Sequence, residues 1–121
     1  MFSIYDVMNY CKKFCDIETI GLGKVMSAGT LILASGTKGK RKLGKHCRVM
    51  LHSVNGGSVG ELHNIENEMA QMKELQDNYI QCLSDETQMT KRQIQSLINR
   101  KVNVYFSAKE AIEKGLADEV L

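Results

Sequence analysis

The sequence predicts an α/β fold with crossover connections. Short runs of β-branched residues alternate with helical periodicities, and one helical period continues unbroken from Glu61 to Leu83. Two capping boxes, at Thr90–Gln93 and Ser107–Glu110, mark helix starts in the last third.

Ile4, Val7, Met8, Cys11 and Phe14 recur at helical spacing, so residues 3–14 read as an amphipathic helix. Ile17 to Leu22 reads as a short strand closed by Gly21-Leu22-Gly23. Small residues after Ser27 lead into the apolar run Thr30 to Ala34, a buried helix starting near Ser27 and stopped at Ser35-Gly36. Lys38, Lys40, Arg41, Lys42, Lys45 and Arg48 then form a basic cluster. It is glycine-broken and lacks interleaved aromatics, so it reads as a solvated hairpin rather than a nucleic-acid patch. Cys47 to Leu51 is an apolar strand closed by His52, and Ser53 to Gly60 is a flexible, glycine-rich segment.

Along Glu61–Leu83, the residues Leu62, Ile65, Met69, Met72, Tyr79 and Leu83 line one face and charges the other. Such a helix extends roughly 34 Å, more than a small domain covers, so one end should project or meet another subunit. Ser84 to Thr87 reads as a loop, followed by a helix from Thr90 to Asn99 and a strand at Val102–Phe106. A helix from Ser107 to Gly115 and a strand at Asp118–Leu121 complete the order.

A length of 121 residues implies one domain, and a 43% hydrophobic fraction is enough for a core. The net charge of +2 and the absence of Trp argue against nucleic-acid binding. No membrane span or signal peptide is read, so a soluble, cytoplasmic chain is expected. Cys11, Cys15, Cys47 and Cys82 fit no zinc or redox spacing and are expected as free thiols, with no metal and no cofactor.

Two residues carry the candidate chemistry. Ser27 stands between a strand-closing glycine and a small-residue helix start, where first-turn amides can face a developing oxyanion. Its alternative role is a helix N-cap. His52 ends an apolar strand, and histidine is the usual base for a serine near neutral pH. Neither His46 nor His63 has a comparable setting.

Several segments come in the order found in the Clp protease proteolytic subunit. They are Ser3–Met8, Gly23-Lys24-Val25-Met26-Ser27-Ala28-Gly29, Lys38-Gly39-Lys40-Arg41, Arg48-Val49-Met50-Leu51-His52, Gly56-Gly57 and Ser107–Asp118. The chain therefore resembles that family from about residue 3 to its end. The resemblance implies a ClpP/crotonase-like spiral of ββα units with a protruding handle helix, a single peptidase domain over residues 1–121. Relative to the family, the earlier ββα unit, which supplies one oxyanion amide, is missing.

The resemblance further implies a serine endopeptidase that cleaves unfolded polypeptides through an acyl-enzyme. Ser27 would be the nucleophile, His52 the base and the Ala28 amide an oxyanion donor. Gly56 and Gly57 would belong to the substrate-aligning handle strand, and Tyr10 to the ATPase-docking pocket. Partners implied are further copies in heptameric rings, stacked as a tetradecamer, and an AAA+ unfoldase of the ClpX, ClpA or ClpC type. The family's third catalytic position falls on Asn103 instead of aspartate, leaving Asp85 or Glu86 as alternative acids. A catalytically weak ring component is thus the rival reading. A second is a serine–lysine protease of the phage head-maturation or signal-peptide-peptidase type.

Overall fold

In the computed structural model, which describes residues 1–121, the chain opens with α1 (Phe2–Cys11). It then winds between two three-stranded sheets. A strand of the first sheet, β1 (Thr19–Gly21), passes through Leu22-Gly23 into a strand of the second, β2 (Lys24–Met26). Gly23 takes the left-handed φ of 68° this sharp link requires. Helix α2 (Ala28–Ala34) returns the chain, and the step repeats: β3 (Arg41–Leu43) enters the first sheet and β4 (Arg48–Leu51) the second. This alternation is a spiral of ββα steps, as the fold class anticipated. After the long α3 (Leu62–Glu86) come α4 (Lys91–Ile98), β5 (Val104–Ser107), α5 (Ala108–Glu113) and β6 (Glu119–Val120).

The first sheet has the order β1-β3-β6, all parallel. The second has the order β2-β4-β5; β2 and β4 are parallel, with Met26 opposite Met50, while β5 runs antiparallel with Val104 opposite Leu51. Leu31, Leu33, Leu43, Val49, Leu51, Leu83, Ile94 and Leu116 form the buried centre between sheets and helices. Both capping boxes form, at Thr90–Gln93 and Ser107–Glu110. No helix is long and apolar enough to cross a membrane. The four cysteines are unpaired thiols.

Four expectations need correction. First, β2, to which the sequence reading assigned no element, and β3, read as part of a solvated hairpin, are strands; each is only three residues long and exists through pairing with a distant partner. Second, the basic cluster is not simply solvated. Arg41 is 4% exposed and grips Asp118 with two guanidinium nitrogens, at 2.9 Å (Nε) and 2.6 Å (Nη2). Its Nη1 faces the carbonyls of Ala34, Glu86 and Gly115 at the ends of α2, α3 and α5. Third, residues 84–86 are helical, because Glu86 is held by the Tyr5 hydroxyl, Lys12 and Lys38. Fourth, the apolar stripe read over residues 3–14 is largely in water: Ile4, Val7 and Phe14 are exposed, Met8 and Cys11 are half-buried, and Tyr5, outside the stripe, is the buried residue of α1.

α3 is about 38 Å long at 1.5 Å per residue. Only its C-terminal turns are buried, through Tyr79, Ile80, Leu83 and Glu86; Leu62, Met69 and Leu75 stand in solvent. Ser53–Gly60 forms no strand here. It lies along the helix, with the Val54 N–H donating to Gln76 Oε1 and Gly56 so close to Met72 that a Cβ would sit 2.8 Å from its methyl. Burying the apolar side chains of this handle is worth roughly 25 cal/mol per Å², which favours self-association. Light scattering at micromolar concentration is expected to give a mass well above 13.6 kDa. A monodisperse folded monomer would contradict this.

Candidate active site

The second sheet brings the candidate residues to one end. β2 and β4 run parallel, so the residues that follow them, Ser27 and His52, leave the same edge of the sheet. β5 runs the other way, so its start lies at that edge too. Continued one step beyond the Leu51–Val104 pair, the β4–β5 register sets His52 opposite Asn103. Directly opposed residues of an antiparallel pair project from the same face, with Cα atoms about 4.5–5.5 Å apart. The carboxyl ends of parallel strands are the usual ligand-binding edge of an α/β sheet.

Ser27 occupies a sharp strand-to-helix turn with φ 54° and ψ −119°. A non-glycine residue pays about 1–3 kcal/mol to stay in so sparsely populated a region, and it persists only where its surroundings hold it. Three hydrogen bonds do so. The Ser27 N–H donates to the Met50 carbonyl (3.0 Å), and the Ser27 carbonyl accepts from the Thr30 N–H (3.0 Å) and the Tyr79 hydroxyl (3.0 Å). Thr30 is wholly buried and donates its hydroxyl to Met50 O at 2.9 Å, fastening the start of α2 to β4. The alternative role of N-cap is unused, since the Ser27 side chain makes no capping bond. Its Oγ is free, on the kind of strained elbow that presents a nucleophile.

Ser27, Ala28 and His52 line one cleft of 260 Å³, with Ser53, Val54, Asn55, Tyr79 and Met1. As the first helical residue, Ala28 has an N–H without an intrahelical acceptor. A broader groove of 540 Å³ runs along the β1 and β2 edges, but it contains neither Ser27 nor His52. The smaller cleft is the one that brings the candidates Ser27 and His52 together.

Asn103 is exposed just before β5 and does not line the cleft. Neither alternative acid is brought there: Asp85 accepts from Gln81 at 2.7 Å, and Glu86 is occupied by Tyr5, Lys12 and Lys38. Gly56 and Gly57 lie on the handle-side segment next to the cleft, both exposed. Tyr10 is exposed at the end of α1, edge-on to Phe14 at 5.3 Å.

Two supporting residues escaped the sequence reading. Tyr79 belonged to the apolar stripe of the long helix, and only the fold aims its hydroxyl at the Ser27 carbonyl; burial pushes that phenol well above its ordinary pKa, so it stays a donor. Thr30 looked like one more residue of an apolar run.

The sequence model of the Clp protease family matches residues 1–121. The chain is also 35% identical over 119 residues to an ATP-dependent Clp protease proteolytic subunit 2 from Thermobifida fusca (strain YX), across 98% of this chain and 57% of that relative. The chain thus spans somewhat more than half the length of the curated relative it matches.

Proposed function

The chain belongs to the Clp protease family, and from that premise we propose that it is a serine-type endopeptidase subunit acting on unfolded polypeptides. The observation that carries the proposal is Ser27, strained and unbonded at its Oγ, sharing a cleft with His52.

In this mechanism Ser27 Oγ attacks the scissile carbonyl while His52 takes its proton. The Ala28 amide helps hold the tetrahedral oxyanion, and His52 returns the proton to the leaving amine. Water then enters with His52 again as base, and the acyl-enzyme is hydrolysed. No hydrogen bond joins Ser27 to His52 in the structure; such bonds commonly tighten only when substrate is bound. Under this proposal Asn103 orients the imidazole through its amide oxygen, a contact that, like the one between Ser27 and His52, is not formed in the structure and would close on substrate binding. Gly56 and Gly57 offer the backbone of an unpaired segment beside the cleft, suited to adding a substrate strand.

The partners proposed are further copies of the chain in stacked rings, through the exposed faces of α3, and an AAA+ unfoldase at the exposed Tyr10 and Phe14. The second reading, a ring component that assembles but cleaves weakly, is favoured by Asn103, which has no charge to stabilise an imidazolium.

A fluorophosphonate probe tests the mechanism directly. Ser27 is expected to be labelled, with labelling absent in Ser27→Ala and strongly reduced in His52→Ala. Labelling spread over other serines while Ser27 stays unmodified would remove the peptidase reading.

A further inference from the structure

Away from the peptidase cleft, α4 and the end of α5 enclose a second concavity of 350 Å³. Arg92, Arg100 and Lys114 line it with Ser96, Gln93 and Thr90, and no carboxylate does. An adjoining hollow of 380 Å³ shares Arg92, Ser96 and Arg100. Arg92 and Ser96 are spaced four apart on one face of α4, and Arg100 follows in the turn that ends the helix.

The three cations are free. Lys12, Lys38, Lys40, Arg41 and Lys42 each have a carboxylate partner, but none of Arg92, Arg100 and Lys114 does. Of the acids in the vicinity, Asp77 lines a neighbouring hollow together with Arg92 but makes no ion pair with it, and Glu110 is bonded to Ser107. The neutral groups present donors as well. Gln93 gives its Oε1 to the Thr90 N–H, which leaves its NH₂ free, and the Ser96 hydroxyl has no partner. The backbone beneath is fixed. Arg100 and Lys101 N–H groups close the end of α4 on Leu97 and Ile98, and the Lys114 carbonyl accepts from Gln88 N–H at 3.0 Å.

A lining rich in donors, with three unit positive charges and no carboxylate, is matched to a compact anion with several acceptor oxygens. Two guanidinium forks suit phosphate geometry, and a phosphate carries about −1.5 to −2 near neutrality where a carboxylate carries one charge. We infer that this cleft binds a phosphate group through Arg92, Arg100 and Lys114. The inference stands apart from the peptidase reading, because nothing in it passes through Ser27.

Titration of the full chain with inorganic phosphate, O-phosphoserine and acetate at matched ionic strength, read by amide NMR shifts and melting temperature, tests it. Phosphate is expected to shift the amides of residues 92–100 and 114 saturably and to raise the melting temperature, with acetate far weaker. Tighter binding of phosphoserine than of inorganic phosphate would identify a phosphate monoester as the ligand, and equal binding the free ion. Arg92→Gln/Arg100→Gln should weaken binding at least about tenfold, since each lost charged hydrogen bond typically costs that much. Lys45→Gln/Lys73→Gln removes the same charge from exposed lysines elsewhere and should leave binding intact. Equal response to acetate, no saturable shift, or equal loss in the two double variants overturns the inference.

Discussion

Arg41→Ala is expected to lower the unfolding free energy by about 3–5 kcal/mol, the usual cost of removing one member of a buried ion pair. Native domains hold only about 5–15 kcal/mol in total, so the variant should unfold at much lower urea, or not fold at all. Arg41 does more than neutralise Asp118. Its Nη1 reaches the end carbonyls of three helices, which have no intrahelical donor of their own. Arg41→Lys should recover little, because an ammonium cannot reproduce the planar fork that meets both Asp118 oxygens and the carbonyls together. A urea midpoint for Arg41→Ala within error of wild type would show that the hub contributes nothing.

The same pair sets an acid limit. The Arg41 hydrogen bonds, with backbone donors at Arg41 and Gly39, pull Asp118 down to about 2. Its ordinary value is about 3.9. A carboxyl depressed by folding stabilises the native state above its unfolded pKa, and this contribution is lost as pH falls from about 4 towards 2. Asp118→Asn should remove that limb of the acid-unfolding curve and lower stability at neutral pH.

Arg41 also shows where sequence reading runs out. Its setting depends on Asp118, 77 positions downstream, and on three helix ends. Nothing local distinguishes it from Lys40 or Lys42 beside it. The capping boxes were legible because donor and acceptor sit three residues apart. The handle was legible because its period repeats over many turns. Strands β2 and β3 were not, since three residues carry no period and their pairing is remote. The α1 stripe misled for a related reason: periodicity identifies an apolar face but not what covers it. Ser27 and His52 could be named as candidates one by one. Their convergence rests on the Met26–Met50 alignment, which only the folded sheet supplies.

The substitution expected to change turnover most, Asn103→Asp, follows from that sheet end. Under the proposed roles, Asn103 faces His52 across the continued β4–β5 register. Its amide can orient the ring but cannot balance the positive charge formed as Ser27 attacks. In serine proteases the reverse change, aspartate to asparagine, costs about 10⁴ in turnover. Asn103 is exposed in this chain, and a solvated carboxylate is screened. The gain expected from Asn103→Asp on a small fluorogenic peptide is therefore about 10³, somewhat short of that full factor. Asn103→Ala should do little further harm, because the missing charge is already the main deficit. The Ser27→Ala/Asn103→Asp double variant should be inactive, which ties any gain to the same nucleophile. If the wild type is already fast and Asn103→Asp leaves turnover unchanged, another group orients His52 and the register does not extend to Asn103. If both forms are inert while Ser27 still reacts with a fluorophosphonate, the elbow is intact but the chain serves its ring without cutting.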